Sequence, residues 1–512
     1  MHSGTRQLSL TALLVLGGCV RLGPDFQSPG EPWIDHWNTP ALEHASQRAV
    51  YPDIRQWWHV FSDPALDQLI AESDAHNSSL KIAGLRVMEA RAQLGIAQSG
   101  LYPQLQQVSV DSLYVNRRQY GGNNPVDSHF WQHSGGFDVG WELDFWGRFS
   151  RAIESSDASY FAAEANYEDA LVLLRAQVAD TYFSLRTTEA RLRVARENAR
   201  QQQRNYEITE KLFHSGQTPE LDLQQAKTQY LGTLSTIPVL EDQIGRIRNA
   251  LAVLIGRPPG ALPLMAENTG LIPLVDRAVL QDVPANLLLR RPDVRAAELN
   301  VAAQSALIGV AETDFYPSLT LLGSIVWSAD TLSGTSRSLD LVGGPSLRWN
   351  VFDYGRISNN VRVQDARLQQ LIESYRDKVR QAAREADDAA NGLTRSLQRE
   401  RILREAEGAA KRSLELANAL YREGYSDFQR VLDAQRALLE LQDSYLLSRG
   451  DAVSNVIALY KALGGGWYSA QAKVDSTTRK QMEQRTDWGD LLNEPSADQP
   501  VSPLPNQVKA HE

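Results

Sequence analysis

Few side chains in this sequence are spaced for chemistry. His129 and His133 stand four apart, a spacing at which two imidazoles on one helix share a metal ion, but they fall in a loop or strand pattern without cysteine or paired carboxylates nearby. No metal site is expected there. Gly464-Gly465-Gly466 has no lysine after it to complete a phosphate-cradling loop, and neither Gly-x-Ser-x-Gly nor His-Glu-x-x-His occurs. The sequence therefore predicts neither an enzyme nor a bound cofactor. One reactive group stands out: Cys19, the single cysteine among 512 residues.

Its setting is set by what precedes it. Arg6 heads an apolar run from Leu8 to Leu16, and Gly17-Gly18 leads into the cysteine. Residues 1–18 read as an export signal, removed rather than folded. Leu16-Gly17-Gly18-Cys19 resembles the bacterial lipobox, in which the thiol is acylated and becomes the first mature residue; an ordinary signal that contains a cysteine is the alternative. By the same resemblance, Val20 in place of an aspartate favours delivery to the outer membrane, with outer-membrane lipid as a partner. Acyl chains contribute roughly 0.8 kcal/mol per buried CH₂, so a multiply acylated Cys19 is a firm anchor. A lone cysteine leaves no disulfide within the chain, and stability has to come from burial and assembly. Asn77-Ser78-Ser79, a glycosylation triplet elsewhere, means little in a bacterial chain.

Charge and patterning exclude other classes. Basic residues number 52 and acidic ones 62, a net charge of −10 with no basic arm, which argues against a nucleic-acid partner. No apolar run approaches the roughly 20 residues that a spanning helix needs. Barrel strands alternate, so a β-barrel stays open.

The elements follow from an internal repeat. Phe145-Trp146-Gly147-Arg148 answers Asp353-Tyr354-Gly355-Arg356, Lys211 to Gly216 answers Ala419 to Gly424, and Ala250 to Gly256 answers Ala458 to Gly464, all 208 residues apart. Leu101-Tyr102-Pro103 pairs with Phe315-Tyr316-Pro317 at 214, so a loop between the strands changed length. Apolar residues at Tyr160, Ala163, Tyr167, Leu171, Leu174, Val178, Tyr182 and Leu185 step by threes and fours, and their counterparts Leu368 to Leu393 do the same. That is one buried helical stripe. No proline interrupts residues 150–214 or 356–422, and each helix of about 65 residues would be roughly 100 Å long. Glycine turns at Gly216 and Gly424 then reverse the chain into shorter helices ending at Gly256 and Gly464. Further helices are expected from about Asp63 to Ala97 and from Ala285 to Asp314.

Alternating stretches lie between the helices. Val108, Val110, Ser112 and Tyr114, then Phe137 to Phe145, make one strand pair; Leu319 to Trp327, then Leu347, Trp349 and Val351, make another. Strands of about 10 residues suit a lipid-facing barrel, and three chains would supply twelve. A soluble sandwich usually needs more strands per chain than four. The expected divisions are 19–60 as a lipid-anchored extended strap, 61–258 and 285–466 as the two repeats, 259–284 as a connecting equatorial segment, and 467–512 as an equatorial tail without fixed structure at its end.

Several strings in this order resemble the outer-membrane efflux factor (TolC-like) family, in its lipoprotein branch that serves RND-type tripartite pumps. They are Cys19 to Phe26 with Pro29, Trp57-Trp58-His59-Val60-Phe61-Ser62-Asp63-Pro64 onward to Ile70, and Arg290-Arg291-Pro292-Asp293 to Glu298. The tip strings Gly216, Leu221-Asp222-Leu223, Ala226 and Gly424, Val431-Leu432-Asp433-Ala434-Gln435 also match. The resemblance implies an α+β membrane protein, a homotrimer whose twelve-stranded outer-membrane barrel continues into a helical periplasmic barrel. It implies a gated, passive exit for drugs or other toxic small molecules, with a periplasmic adaptor and an inner-membrane RND-type transporter as partners. Asp433 falls where the family places an inward-facing carboxylate ring, and Asp222 and Tyr421 where it places gate hydrogen bonds; Ser426 stands where a gate arginine is used. Gly216 and Gly424 would dock the adaptor, on a backbone that side chains would crowd. A coiled-coil surface lipoprotein without a channel, and a duct for type I protein secretion, are the competing expectations.

Overall fold

A computed structural model of the chain describes residues 20–30, 54–119, 126–260, 262, 271–275, 285–329, 337–467 and 474–492. Cys19, the export signal, the hairpin loop Gly121 to Pro125, most of 259–284 and the end of the tail lie outside the described residues. The chain divides into two compact units, one around Arg86–Ala163 and Ala296–Tyr375 with the strap up to Pro29, the other around Glu164–Arg295 and from Arg376 onward.

The first unit holds an antiparallel sheet in the order β1 (Leu105–Gln119), β2 (Val126–Glu142), β3 (Ser318–Ala329), β4 (Arg337–Arg348). Leu105 pairs with Gly140, Glu142 with Thr320, and Ser318 with Arg348. The strands run 15, 17, 12 and 12 residues, longer than expected. β4 also stops before Trp349 and Val351, which the alternation had placed in it. The Trp349 indole donates instead to Phe315 O at 3.0 Å, which draws the chain out of the ladder. Among the described residues the outer edges of β1 and β4 have no partner strand. Val108 and Val110 are 73% and 81% exposed, so this face is not part of a covered core.

Helices make up the second unit and part of the first. The long helices are α3 (Arg148–His214) and α6 (Arg356–Arg422), each of 67 residues; α4 (Glu220–Leu254) and α7 (Phe428–Ala462), each of 35, return after them. The stripe is buried along its middle, at Tyr167 to Leu185 and Tyr375 to Leu393, and half-buried at Tyr160, Ala163, Leu368 and Leu371. Residues 54–60, assigned to the extended strap, instead coil together with Phe61 into a 3-10 turn. The reason is burial: Trp57 stacks on Tyr460 at 5.3 Å, and Phe61 meets Phe183 at 4.6 Å.

The expected helix from Asp63 to Ala97 is two, α1 (Pro64–His76) and α2 (Ser78–Ser99). Asp63 caps the first through Ala65 N at 3.0 Å. Asn77 breaks the run because its side chain serves two other partners, accepting from Leu80 N at 3.0 Å and donating to Leu254 O at 2.9 Å. At 7% exposure it is buried. The second counterpart begins as a 3-10 turn, Ala285–Arg290, before α5 (Pro292–Glu312) and a further 3-10 turn, Thr313–Phe315. Buried Arg291 explains that entry: it grips Asp293 through two bonds of 3.0 Å, Glu385 at 3.0 Å and Ala462 O at 2.8 Å. The tail is not without structure where it is described, since α8 (Ser476–Arg485) is capped by Asp475 on Thr477 N and Thr478 N.

Candidate functional site

The helix turns expected at the tip are built by two matching caps. Gly216 has φ +73 and Gly424 φ +76, the left-handed region that disfavours a side chain. Gly216 N donates to Phe213 O and Gln217 N to Leu212 O, both at 2.9 Å; Gly424 N donates to Tyr421 O at 3.0 Å and Tyr425 N to Leu420 O at 2.9 Å. These are Schellman closures that satisfy the last helical carbonyls. Among the described residues the expected crowding is absent, because a Cβ built on either glycine meets nothing within 4 Å. The backbone angle alone requires glycine.

Asp222 and Tyr421 are brought together, and Thr218, which the sequence reading passed over, joins them. Thr218 Oγ1 donates to Asp222 Oδ2 at 2.8 Å across the first turn of α4. Burial and then the charge of Asp222 push the Tyr421 phenol up, while a hydrogen bond with Thr218 pulls it back. Beneath them Ala226, Leu414, Phe428, Val431 and Leu432 form a buried apolar cluster, and the Tyr421 ring lies against Phe428 at 5.2 Å. The phenol end is therefore held by packing, and its hydroxyl group is placed beside a carboxylate. Ser426 donates to Asp427 O at 3.3 Å.

Asp433 lies one turn into α7. Its carboxylate accepts from Gln429 Nε2 at 2.9 Å and pairs with Arg436 at 3.5 Å, with side-chain exposures of 59% and 51%. Such an exposed pair contributes little to stability, so the carboxylate is available to an aqueous space. His129 and His133 lie on β2, where four residues span about 13 Å, and His133 Nδ1 is 3.0 Å from Ser112 Oγ.

A second constellation receives the strap. Arg151, 2% exposed in the first turn of α3, donates to Leu22 O at 2.9 Å, Gly23 O at 3.2 Å and Asp25 Oδ1 at 2.9 Å. Gly23 has φ +86, and a Cβ there would lie 2.4 Å from Gly309 Cα. Two bare backbones thus cross. Phe26 then packs on Ala158, Ala302 and Ala303. The sequence reading did not single out Arg151; an arginine among the small residues of a helix start was the only signal.

One family model matches two segments of the chain. Residues 69–257 and 283–465 match the family model described as "Outer membrane efflux protein". A relative described as "Probable outer membrane lipoprotein SilC", from Salmonella typhimurium, is 30% identical over 471 residues, 90% of this chain and 98% of that protein. The "Pyoverdine export outer membrane protein OpmQ" of Pseudomonas putida is 32% identical over 449 residues, 86% of this chain and 93% of its own length. The solved structure of the outer-membrane channel OprN superposes with a TM-score of 0.78 at 30% identity, covering 87% of this chain and 99% of that one.

Proposed function

Because this chain belongs to the outer membrane efflux protein family, we propose that it is the gated outer-membrane exit duct of a tripartite pump, working as a homotrimer and not as an enzyme. The observation that carries the reading is one chain holding both a four-stranded sheet with two open edges and paired helical hairpins. Three such sheets would join edge to edge into a twelve-stranded barrel, removing every open edge. The helices would continue it as a periplasmic tunnel. An internal duplication, 61–258 and 285–466, is supported by α3 and α6, and α4 and α7, beginning 208 residues apart. The alternation of Val108 and Val110 on an uncovered sheet fits contact with lipid.

Cargo such as drugs or other toxic small molecules would be handed over by an inner-membrane RND-type transporter through a periplasmic adaptor, which docks at the open turns of Gly216 and Gly424. Asp222, Thr218 and Tyr421 would latch the tip. Around a three-fold axis, three Asp433 carboxylates would form a ring that attracts cations and narrows the passage. Cys19 would carry the lipid anchor, a reading supported by the relative SilC, described as a probable outer membrane lipoprotein.

Conductance in planar bilayers tests this. Wild type should give a small cation-selective conductance, and Asp433→Ala a larger, less selective one. Verified insertion without conductance in either form would refute the duct, and identical conductance and selectivity would refute the Asp433 ring alone.

A further inference from the structure

The two halves make the same joint at the base of each hairpin. The Trp141 indole donates to Leu101 O at 3.1 Å, and the Trp349 indole, 208 residues on, donates to Phe315 O at 3.0 Å. Tyr102-Pro103 follows the first carbonyl and Tyr316-Pro317 the second.

A different joint ties one half to the other. Trp146, next to Gly147 at the head of α3, stacks on Tyr316 with centroids 4.6 Å apart, and its indole donates to Pro317 O at 2.9 Å. β2 and β3 pair beside it. The counterpart of Trp146 is Tyr354, next to Gly355 at the head of α6; the counterpart of Tyr316 is Tyr102. Among the described residues neither ring is used in this way: Tyr354 is 102% exposed and Tyr102 69%. The strands beside them, β4 and β1, are the two with open edges among the described residues.

Tyr354 also carries backbone strain. Its φ is +51, a conformation uncommon outside glycine, directly before Gly355 at φ +87. A fully exposed ring held in a disfavoured conformation gains nothing from the described residues of its own chain.

We propose that Tyr354 of one copy of this chain stacks on Tyr102 of the next copy, as Trp146 stacks on Tyr316, and that this aromatic joint seals the contact between copies below the β4 and β1 edges. The occupant is a second copy because the same chain supplies both halves of the missing joint, and the version within one chain is already formed beside the β2–β3 pair. The proposal rests on the homotrimer reading and adds to it the residues that close each contact.

Disulfide trapping in the full-length, membrane-inserted protein tests it. Tyr354→Cys combined with Tyr102→Cys should give covalent dimers and trimers on oxidation, which neither single variant gives; the single variants also control for Cys19. Trp146→Cys with Tyr316→Cys should close inside one chain. A protein that is trimeric by native mass and closes this control, yet shows no bond between positions 354 and 102, overturns the joint. A wild-type chain that is monomeric by native mass overturns the trimer reading instead. As a second measurement, Tyr354→Ala should lower the temperature at which the trimer dissociates, with each contact weakened roughly two- to tenfold, while Tyr354→Trp keeps it. An unchanged dissociation temperature in Tyr354→Ala also overturns the proposal.

Discussion

Replacing Arg151 by methionine should release the strap. The aliphatic stem is kept and the guanidinium removed, so packing changes little and the donors are lost. Two of those donors serve the Leu22 and Gly23 carbonyls. Hydrogen bonds from a charged group contribute about 1.5–3 kcal/mol each. The Asp25 pair is discounted, because that carboxylate is 90% exposed and well screened. At the low end the loss is about 3 kcal/mol, or on the order of a hundredfold in the equilibrium for lifting the strap. Leu22 N, which donates to Trp146 O at 3.3 Å, is the reporter. Hydrogen exchange at that amide should speed up by about that factor in Arg151→Met, while the amides of α5 stay protected. Gly23→Ala should act in the same direction by an independent route, since its Cβ would overlap the Gly309 backbone. Unchanged exchange at Leu22 in both variants would show that the strap is held by something other than this clamp.

Other outcomes follow from the tip and from burial. Tyr421→Phe keeps the contact with Phe428 and loses the hydroxyl group, so cells should become more permeable to a large antibiotic such as vancomycin; unaltered sensitivity would remove Tyr421 from the latch. Gly216→Ala should destabilise through strain at φ +73, by about 1 kcal/mol, with no steric contribution; a drop several times larger in thermal unfolding would mean that the turn is crowded after all. Glu168 is 8% exposed and its Oε2 has no hydrogen-bond partner. Burial pushes its carboxyl up to about 7, Arg295 at 3.8 Å pulls it down, and Glu164 adds to the rise. The folded chain therefore holds this proton more tightly than the unfolded chain does. The stabilisation is complete below the ordinary value of 4.5 and is lost as pH rises through 7. Thermal unfolding in detergent should occur at a higher temperature at pH 5.5 than at pH 8, with up to about 2 kcal/mol of the difference in stability coming from this group. Glu168→Gln should shrink that difference without abolishing it, because Asp169 is also pushed up, to about 6; an undiminished difference would clear Glu168 of the effect.

The long helices were legible because their cause is local and repetitive. A stripe stepping by threes and fours, with no proline across it, fixes α3 and α6 to within two residues of the sequence reading. Breaks with a distant cause were not. Asn77 interrupts a sound helical pattern because of Leu254 O, which lies 177 residues away in the chain. Arg151 was invisible for a similar reason: two of its partners are backbone carbonyls, which carry no side-chain signature, in a strap more than a hundred residues earlier. The tip roles of Asp222, Tyr421 and Asp433 came from family resemblance rather than from their spacing. Thr218 was missed because a lone threonine before a helix is an ordinary capping residue. Trp349 misled for the opposite reason: an aromatic in register with the alternation looks like a strand residue, and its indole hydrogen bond takes it elsewhere.

The strap also distinguishes two places that the repeat makes nearly alike. Where Trp146 and Gly147 lie, Leu22 and Arg21 cover them, and Gly309 receives the crossing chain. At the counterpart positions Asn359 stands in place of Arg151, and a Cβ built on Gly95 meets nothing within 4 Å. In a trimer built as proposed, six similar seams would alternate between strapped and bare. The strapped seams would be made within one polypeptide, whereas the bare ones would need a second copy. A single short segment per chain would thereby turn a pseudo-six-fold ring into a three-fold one, and would space the proposed lipid tethers a third of a turn apart.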